Sequence, residues 1–467
     1  LWRSKDAALA PAALDTLHEC VATSTKEEHA ALLPLLPLLL GDAGAADATV
    51  LSLLGLLVTR LGVRALAQVA AYVPFCVHVA SAHDSDATLC AAAVEALAAL
   101  FSALPQFVQG YVHAALALLC APGIQALLPE RSSGGSALRN ARRRLQDVLV
   151  KRIPAGAVVD AVVSAWPGAA SRAQFVALLA VLQQTIREMD RESVRMQYKR
   201  VYRFLLQALD LRRTAHMPAR DTDATEERAI AAFVALALRL AETQFRPLFL
   251  RTYDWAVVDL VDEGDAAGSD ARALVFYHIV LALLDHLRGM FTAYYAVAMD
   301  NAIELLTRLA ADDGSDALWD AVVRSVFLCA RMDEGTFWTA PRATRIAEPL
   351  LAQLDRAAAK SDAAELLTAT VLAVAGAVPD DACLRSLNTA LLARARTPSS
   401  PSRVLAIDVC AALWDAQGIA LLGYMPETVA ALSELLEDPD AYAAAAALRL
   451  RAAIEKALGE PLDSYLE

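Results

Sequence analysis

Aromatic rings are scarce in this chain, at 6% of residues, and glycine and proline number only 19 each among 467 positions. So few breakers in so apolar a chain exclude disorder over most of its length. Apolar and polar residues nowhere alternate with period two over the length of a strand, so no sheet is expected. No uninterrupted apolar run reaches the roughly 20 residues that a bilayer requires. The nearest, from Ala31 to Leu40, contains two prolines, and no membrane segment is expected. Chemical motifs are missing too: there is no Gly-rich phosphate loop with its lysine, no nucleophile elbow and no HExxH. His278 and His286 lie eight apart beside Asp285 but lack a third ligand nearby. Cys76 with His78, and His18 with Cys20, sit two apart and point to different helix faces. No catalytic residue, cofactor site or metal site is therefore expected. The seven cysteines are odd in number and scattered through apolar stretches. That pattern reads as reduced, buried thiols of an intracellular protein.

What is abundant is alanine and leucine, within a hydrophobic fraction of 57%. This is the composition of a helical protein with an ample core. The segment from Tyr424 to Glu467 shows how the helices are arranged. Pro426 and Glu427 suit a first helical turn, and Val429, Leu432, Leu435 and Leu436 make one apolar face. Glu437-Asp438-Pro439-Asp440 breaks the helix, and Asp440 can cap the next, from Ala441 to Leu458. Gly459 and Pro461 stop it. A helix, a tight acidic turn and a second helix are the unit of a HEAT-type repeat. Ala31–Leu40, Val69–Val79 and Phe107–Leu118 look like copies of one another, with corresponding positions about 37 to 38 residues apart. The fold expected is all-α, a HEAT-type α-solenoid made of a superhelical stack of antiparallel helix pairs. Three parts are expected: repeats over 1–128, a basic helical segment over 129–220 with flexible loops at its edges, and further repeats over 221–467. Ser132-Ser133-Gly134-Gly135-Ser136 reads as such a loop, and Thr214–Thr225 and Asp259–Asp270 as polar interruptions. Long helices are expected over Arg172–Leu211 and Glu226–Val258. Leu1 in place of Met, with nothing like a signal peptide, leads us to expect a piece of a longer polypeptide.

Charge is unevenly placed. Between Glu130 and Arg220 there are seventeen Lys or Arg against seven Asp or Glu, a balance of +10 in a chain of net charge −12. Arg139, Arg142, Arg143, Arg144, Lys151 and Arg152 fall on or beside one expected helix. Arg187, Arg191, Arg195, Lys199 and Arg203 recur every fourth residue, as a ridge winding slowly around a single helix. Such a ridge can follow a phosphate backbone or meet an acidic partner surface. An ordinary solvated face, partly neutralised by Glu188, Asp190 and Glu192, is the competing reading. Aromatics that could stack on bases are few there: Tyr198, Tyr202 and Phe204, with Phe204 expected in the core. Backbone contact without sequence preference follows. The aromatic run from Phe245 to Trp255 is expected to pack a seam between repeats.

Phe245-Arg246-Pro247-Leu248-Phe249 followed by Asp254-Trp255-Ala256 resembles a signature of the U3 small nucleolar RNA-associated protein 10 family, the very long HEAT-repeat subunit of the small-subunit processome. Glu348-Pro349-Leu350-Leu351-Ala352-Gln353-Leu354 and Leu387-Asn388 are similar to its next blocks. Met425–Val429, Ser433–Asp438 and Leu458–Leu466 resemble its carboxyl terminus, while Gln174-Phe175 and Tyr198–Phe204 look familiar upstream. Gln417–Ala420 and the charge-poor Ala441–Ala447 depart from it. The resemblance implies the carboxyl-terminal portion of a non-catalytic nuclear and nucleolar scaffold that supports early pre-18S rRNA processing. Implied partners are other small-subunit processome proteins and pre-rRNA or U3 snoRNA, with no membrane and no small-molecule substrate. A HEAT-repeat nuclear transport receptor is the alternative, since those arrays are acidic too. Fold alone does not choose between the two.

Overall fold

The computed structural model describes residues 9–41, 47–129, 132–214, 217–260, 265–311, 314–378 and 380–466. Glu130 of the expected loop, His216, and positions 261–264 of the expected acidic interruption lie outside them. Among the described residues the regular structure is helical throughout, with no strand. The chain divides into two compact units, Leu1–Phe245 and Arg246–Glu467.

In the first unit the longer helices are α1 (Leu9–Thr23), α2 (Ala48–Leu61), α3 (Val69–Ala82), α4 (Ala87–Ala103), α5 (Val112–Leu119), α6 (Ser133–Arg152), α7 (Ala155–Ala165), α8 (Arg172–Glu188), α9 (Arg191–Leu209) and α10 (Ala219–Ala237). Helices α1, α2, α4, α6, α8 and α10 pack successively into one layer, and α3, α5, α7 and α9 into a second against it. Each pair is a HEAT-type hairpin that buries its apolar faces only by stacking on its neighbours. Caps fix where the helices begin. Asp47 accepts from Val50 N–H at 2.8 Å, Asp86 from Thr88 and Leu89 N–H, and Ser171 forms a capping box with Gln174.

The division between the units falls inside α11 (Glu242–Tyr253), which runs into a π-helical turn at Asp254–Val258. The second unit continues with α12 (Ala266–Leu287), α13 (Met299–Ala311), α14 (Asp316–Met332), α15 (Ala340–Leu351), α16 (Ser361–Ala377), α17 (Asp381–Arg394), α18 (Ser400–Leu421), α19 (Met425–Leu436) and α20 (Ala441–Leu458). Helices α12, α14, α16, α18 and α20 form one layer and α13, α15, α17 and α19 the other. The final hairpin matches its sequence reading: Asp440 accepts from Tyr442 N–H at 2.9 Å, and Gly459 closes α20 with a left-handed φ of 81°.

Three expectations are corrected. Ser132-Ser133-Gly134-Gly135-Ser136 is not a loop but the cap and first turn of α6, with Ser132 accepting from Gly135 N–H at 3.1 Å. Glycine is needed there because a Cβ on Gly134 would meet Thr88 Oγ1 at 2.8 Å. Arg172–Leu211 is not one helix: Met189 turns extended with ψ of 135°, and Asp190 restarts the chain by capping Ser193 N–H at 2.7 Å. The expected helix over Glu226–Val258 likewise breaks between Ala237 and Glu242. Residue 220 lies in the first turn of α10.

Ala48–Ala82, Ala267–Leu287 and Ser400–Leu436 are long and apolar enough to cross a membrane by length and composition alone, more than the search for unbroken apolar runs found. Roughly half of each stretch is buried within the fold. Each lies in the helical layers, and 3₁₀ turns at Gly62–Gln68 and Leu422–Tyr424 interrupt the first and third. Six of the seven cysteines are buried and only Cys20 is exposed.

In the second unit, basic and acidic side chains pair across neighbouring helical hairpins. Arg308 meets Asp270, Arg345 meets Asp300, Arg356 and Lys360 meet Asp316, Arg394 meets Glu348, Arg396 meets Glu434, Arg449 meets Asp408 and Lys456 meets Asp415. The partners stand 38 to 46 residues apart, about one repeat. Exposed pairs of this kind contribute only about 0–1 kcal/mol each. These pairs engage eight of the eighteen cations of this unit.

Candidate nucleic-acid interface

The eleven cations singled out by spacing all belong to the first unit, but the fold does not gather them in one place. Helix α6 lies in the layer of α4 and α8, while α9 lies in the layer of α5 and α7. On α6, Arg139 Nη1 donates to the Leu128 carbonyl at 2.7 Å, and Arg144 is paired with Glu95. Arg142 is half-buried: its Nε has no hydrogen-bond partner among the described residues, and burial lowers its pKa beside the Cys120 thiol. The same burial pushes Cys120 up to about 12, with Arg142 opposing the shift. Arg139 and Arg142 thus serve the packing of α6, while Arg143 and Arg144 are exposed, Arg144 in its surface pair with Glu95.

A second correction concerns the ridge. Arg187 ends α8, and the other four cations belong to α9, so no single helix carries all five. Contacts between α7 and α9 show how the remainder assembles. A Cβ on Gly156 would touch Gln197 Nε2 at 3.0 Å, and Asp160 pairs with Arg200. Helix α7 therefore runs alongside α9 with its first turn level with Gln197, in the second turn of α9. Lys151 and Arg152, just before α7, consequently share an edge of the unit with Arg191 and Arg195. Arg187 lies at that edge too, since Met189 and Asp190 alone separate α8 from α9. Arg239, following α10, donates to the Met189 carbonyl there.

From this edge Arg191, Arg195, Lys199 and Arg203 run along the outer face of α9, all exposed. Val194, Val201, Tyr202, Phe204, Leu205 and Ala208 bury its other face. The core position expected for Phe204 is found: it meets Trp166 edge-on at 5.1 Å between ring centroids, while Tyr202 packs near Phe233 at 6.3 Å. Tyr198 is half-buried, with Lys199 Nζ 5.9 Å from its ring centroid. Glu188, Asp190 and Glu192 are the exposed acids at this end, and Asp190 is committed to its helix cap. The Ser193 N–H holds the Asp190 carboxyl below the usual carboxylate range. Sequence spacing found the α9 cations, but it missed Arg200 as the member tied to Asp160 and Met196 as an apolar side chain among them, 73% exposed.

Most of α9 lies within a stretch that matches a known domain family. Residues 193–338 match the BP28CT (NUC211) domain family. The whole chain aligns with the U3 small nucleolar RNA-associated protein 10 of Mycosarcoma maydis, 33% identical over 98% of this chain and 24% of that protein. The chain belongs to the U3 small nucleolar RNA-associated protein 10 family. The Schizosaccharomyces pombe member is 30% identical over 78% of this chain and 22% of its own length. The chain thus spans about a quarter of the length of these curated relatives. Among solved structures it is similar to importin beta in an ammonium sulfate condition, with 11% identity over 97% of this chain and 62% of that one and a TM-score of 0.37. Arg195, Lys199 and Arg203 lie inside the span that matches the family domain, and Arg191 lies just before it.

Proposed function

We propose that this chain is a non-catalytic part of a ribosome-biogenesis scaffold, acting in the small-subunit processome in the nucleolus. In this role it supports early pre-18S rRNA processing by holding processome proteins and pre-rRNA or U3 snoRNA, with no cofactor, small-molecule substrate or membrane. The observation that carries the reading is the exposed row of α9 cations, within a chain whose relatives are named for association with U3 small nucleolar RNA. Stacked helical hairpins offer long surfaces for such contacts. Lys151, Arg152, Arg187, Arg191, Arg195, Lys199 and Arg203 are the residues assigned to phosphate contact. Arg139, Arg142, Arg143 and Arg144 are not assigned to it: Arg139 and Arg142 are engaged in packing α6, Arg144 is paired with Glu95, and Arg143 faces out from the opposite layer.

The test is sedimentation. The protein carrying this chain, tagged in cells that make it, should travel on a gradient with large particles containing U3 small nucleolar RNA. Recovery only in the light fractions, under conditions that keep those particles intact, would count against the proposal.

A further inference from the structure

We propose that the outer face of α9 binds the backbone of double-helical RNA, rather than an unpaired strand; this rests on the ribosome-assembly reading above. The first support is the state of the cations. Arg191, Arg195, Lys199 and Arg203 are exposed, and none of them pairs with an acid among the described residues. In the second unit, in contrast, Arg308, Arg345, Arg394 and Arg449 are each engaged by an acid one repeat away. Unengaged cations keep their counterions in solution until a polyanion displaces them, and that release drives association with nucleic acid.

Geometry supplies the second support. Successive cations four residues apart rise about 6 Å along the helix and drift by about 40° around it. The row is therefore about 18 Å long. That step is similar to the separation of neighbouring phosphates on one strand of an A-form duplex. The row is also rigid, because the opposite side of α9 is anchored by Val194, Val201, Phe204 and Leu205. A fixed row of charges gains most from a partner whose phosphates are fixed as well. A flexible strand would have to be ordered first, at a cost in entropy.

The third support is what the face presents to a base. Proteins that hold single strands draw about 1–3 kcal/mol per base from aromatic stacking. Here Tyr202 and Phe204 are buried, and Tyr198 is half-buried beside Lys199. No ring in α9 stands free to stack a splayed-out base. Duplex RNA asks for no stacking, since it is recognised through its shape and its sugar–phosphate backbone.

The test uses the 467-residue chain and fluorescence anisotropy. Its probes are a mixed-sequence RNA duplex, an unstructured single strand with the same number of phosphates, and polyglutamate. Affinity for the duplex should exceed that for the strand at least tenfold. Four phosphate contacts predict a loss of about 10²-fold in duplex affinity between 50 and 200 mM salt. Combining Arg191→Gln, Arg195→Gln, Lys199→Gln and Arg203→Gln should weaken binding at least tenfold at low salt. It should also flatten the slope of log K against log salt by about 3 to 4. These positions are on the surface, so the helical circular dichroism should be unchanged. Arg143→Gln, on the opposite layer, should alter neither affinity nor slope.

Equal binding of strand and duplex overturns the proposal, as does a quadruple variant that binds as the parent does. Preferential capture of polyglutamate overturns it in favour of an acidic protein partner. Any of these results, in a protein that still sediments with U3-containing particles, removes the duplex assignment alone. Failure to sediment removes the assembly reading instead, and leaves the measured duplex affinity standing.

Discussion

Trp255→Ala should be among the most damaging single substitutions in the Arg246–Glu467 unit, lowering its stability by roughly 3–5 kcal/mol. Trp255 is 6% exposed, in the π-helical turn that follows α11. The Arg272 guanidinium lies 4.9 Å from its ring centroid, and Arg272 Nη1 donates to the Trp255 carbonyl at 3.1 Å. Truncation would remove a large apolar surface and uncover one face of a guanidinium that is itself buried. Earlier on α11, Phe249 is fully buried and meets Phe276 at 5.8 Å and Phe291 at 5.3 Å. For a unit of this size the thermal midpoint should fall by roughly 10 °C. Thermal unfolding of the full chain, with hydrogen exchange followed in α11 and α12, would measure it. An unchanged midpoint and unchanged exchange would mean that Trp255 is not part of the core. A double-mutant cycle with Arg272→Met should return about 0.5–2 kcal/mol for the cation–ring contact.

Asn388→Leu should cost roughly 2–4 kcal/mol, although it replaces a polar side chain with an apolar one of similar size. Asn388 is fully buried on α17. Its Oδ1 accepts from Trp414 Nε1 at 3.0 Å, and its Nδ2 donates to Thr428 Oγ1 at 2.9 Å. One amide thereby ties α17 to both α18 and α19. Leucine would leave the Trp414 N–H without a partner in a dry interior, and an unmet buried donor costs far more than a solvated one. The same device appears earlier in the unit. Gln353 Oε1 accepts from Trp319 Nε1 at 3.0 Å, while its Nε2 donates to the carbonyls of Leu306 and Pro349. Trp414→Phe combined with Asn388→Leu should recover part of the loss, because the stranded donor goes with the indole. A double variant no more stable than Asn388→Leu alone would contradict this account of the amide. Denaturant unfolding of the full chain reads both.

Helical punctuation and charge spacing carried most of what could be read from the residues alone. Asp440 and Gly459 bound α20 as their chemistry requires, and the four-residue spacing of Arg191, Arg195, Lys199 and Arg203 did mark one helix face. Arg187 was wrongly joined to them because spacing was followed through Asp190, whose capping of Ser193 ends that continuity. Arg142 was misjudged for a related reason. It follows Ala141 on a helix buried through Leu138, Ala141, Leu145 and Leu149, so helical phase turns it inward where a count of arginines does not. The layer assignment was out of reach, because whether α6 and α9 share a face depends on how successive hairpins stack. The Asn388 and Gln353 amides were hidden for the same reason: their indole partners lie 26 and 34 residues away.

The two units also differ electrostatically. Residues 246–467 hold eighteen Lys or Arg against thirty-two Asp or Glu, a balance of −14. The contacts assigned to RNA therefore belong to the first unit, and the strongly acidic second unit suits association with proteins better than with phosphates.

The most direct measurement is ultraviolet crosslinking of the protein within its native particle, with the RNA-linked peptides identified by mass spectrometry. RNA-linked peptides should come from Arg187 to Arg203, accompanied by the Lys151–Arg152 turn. RNA links confined to residues 246–467, with the α9 face linked only to protein, would contradict that expectation.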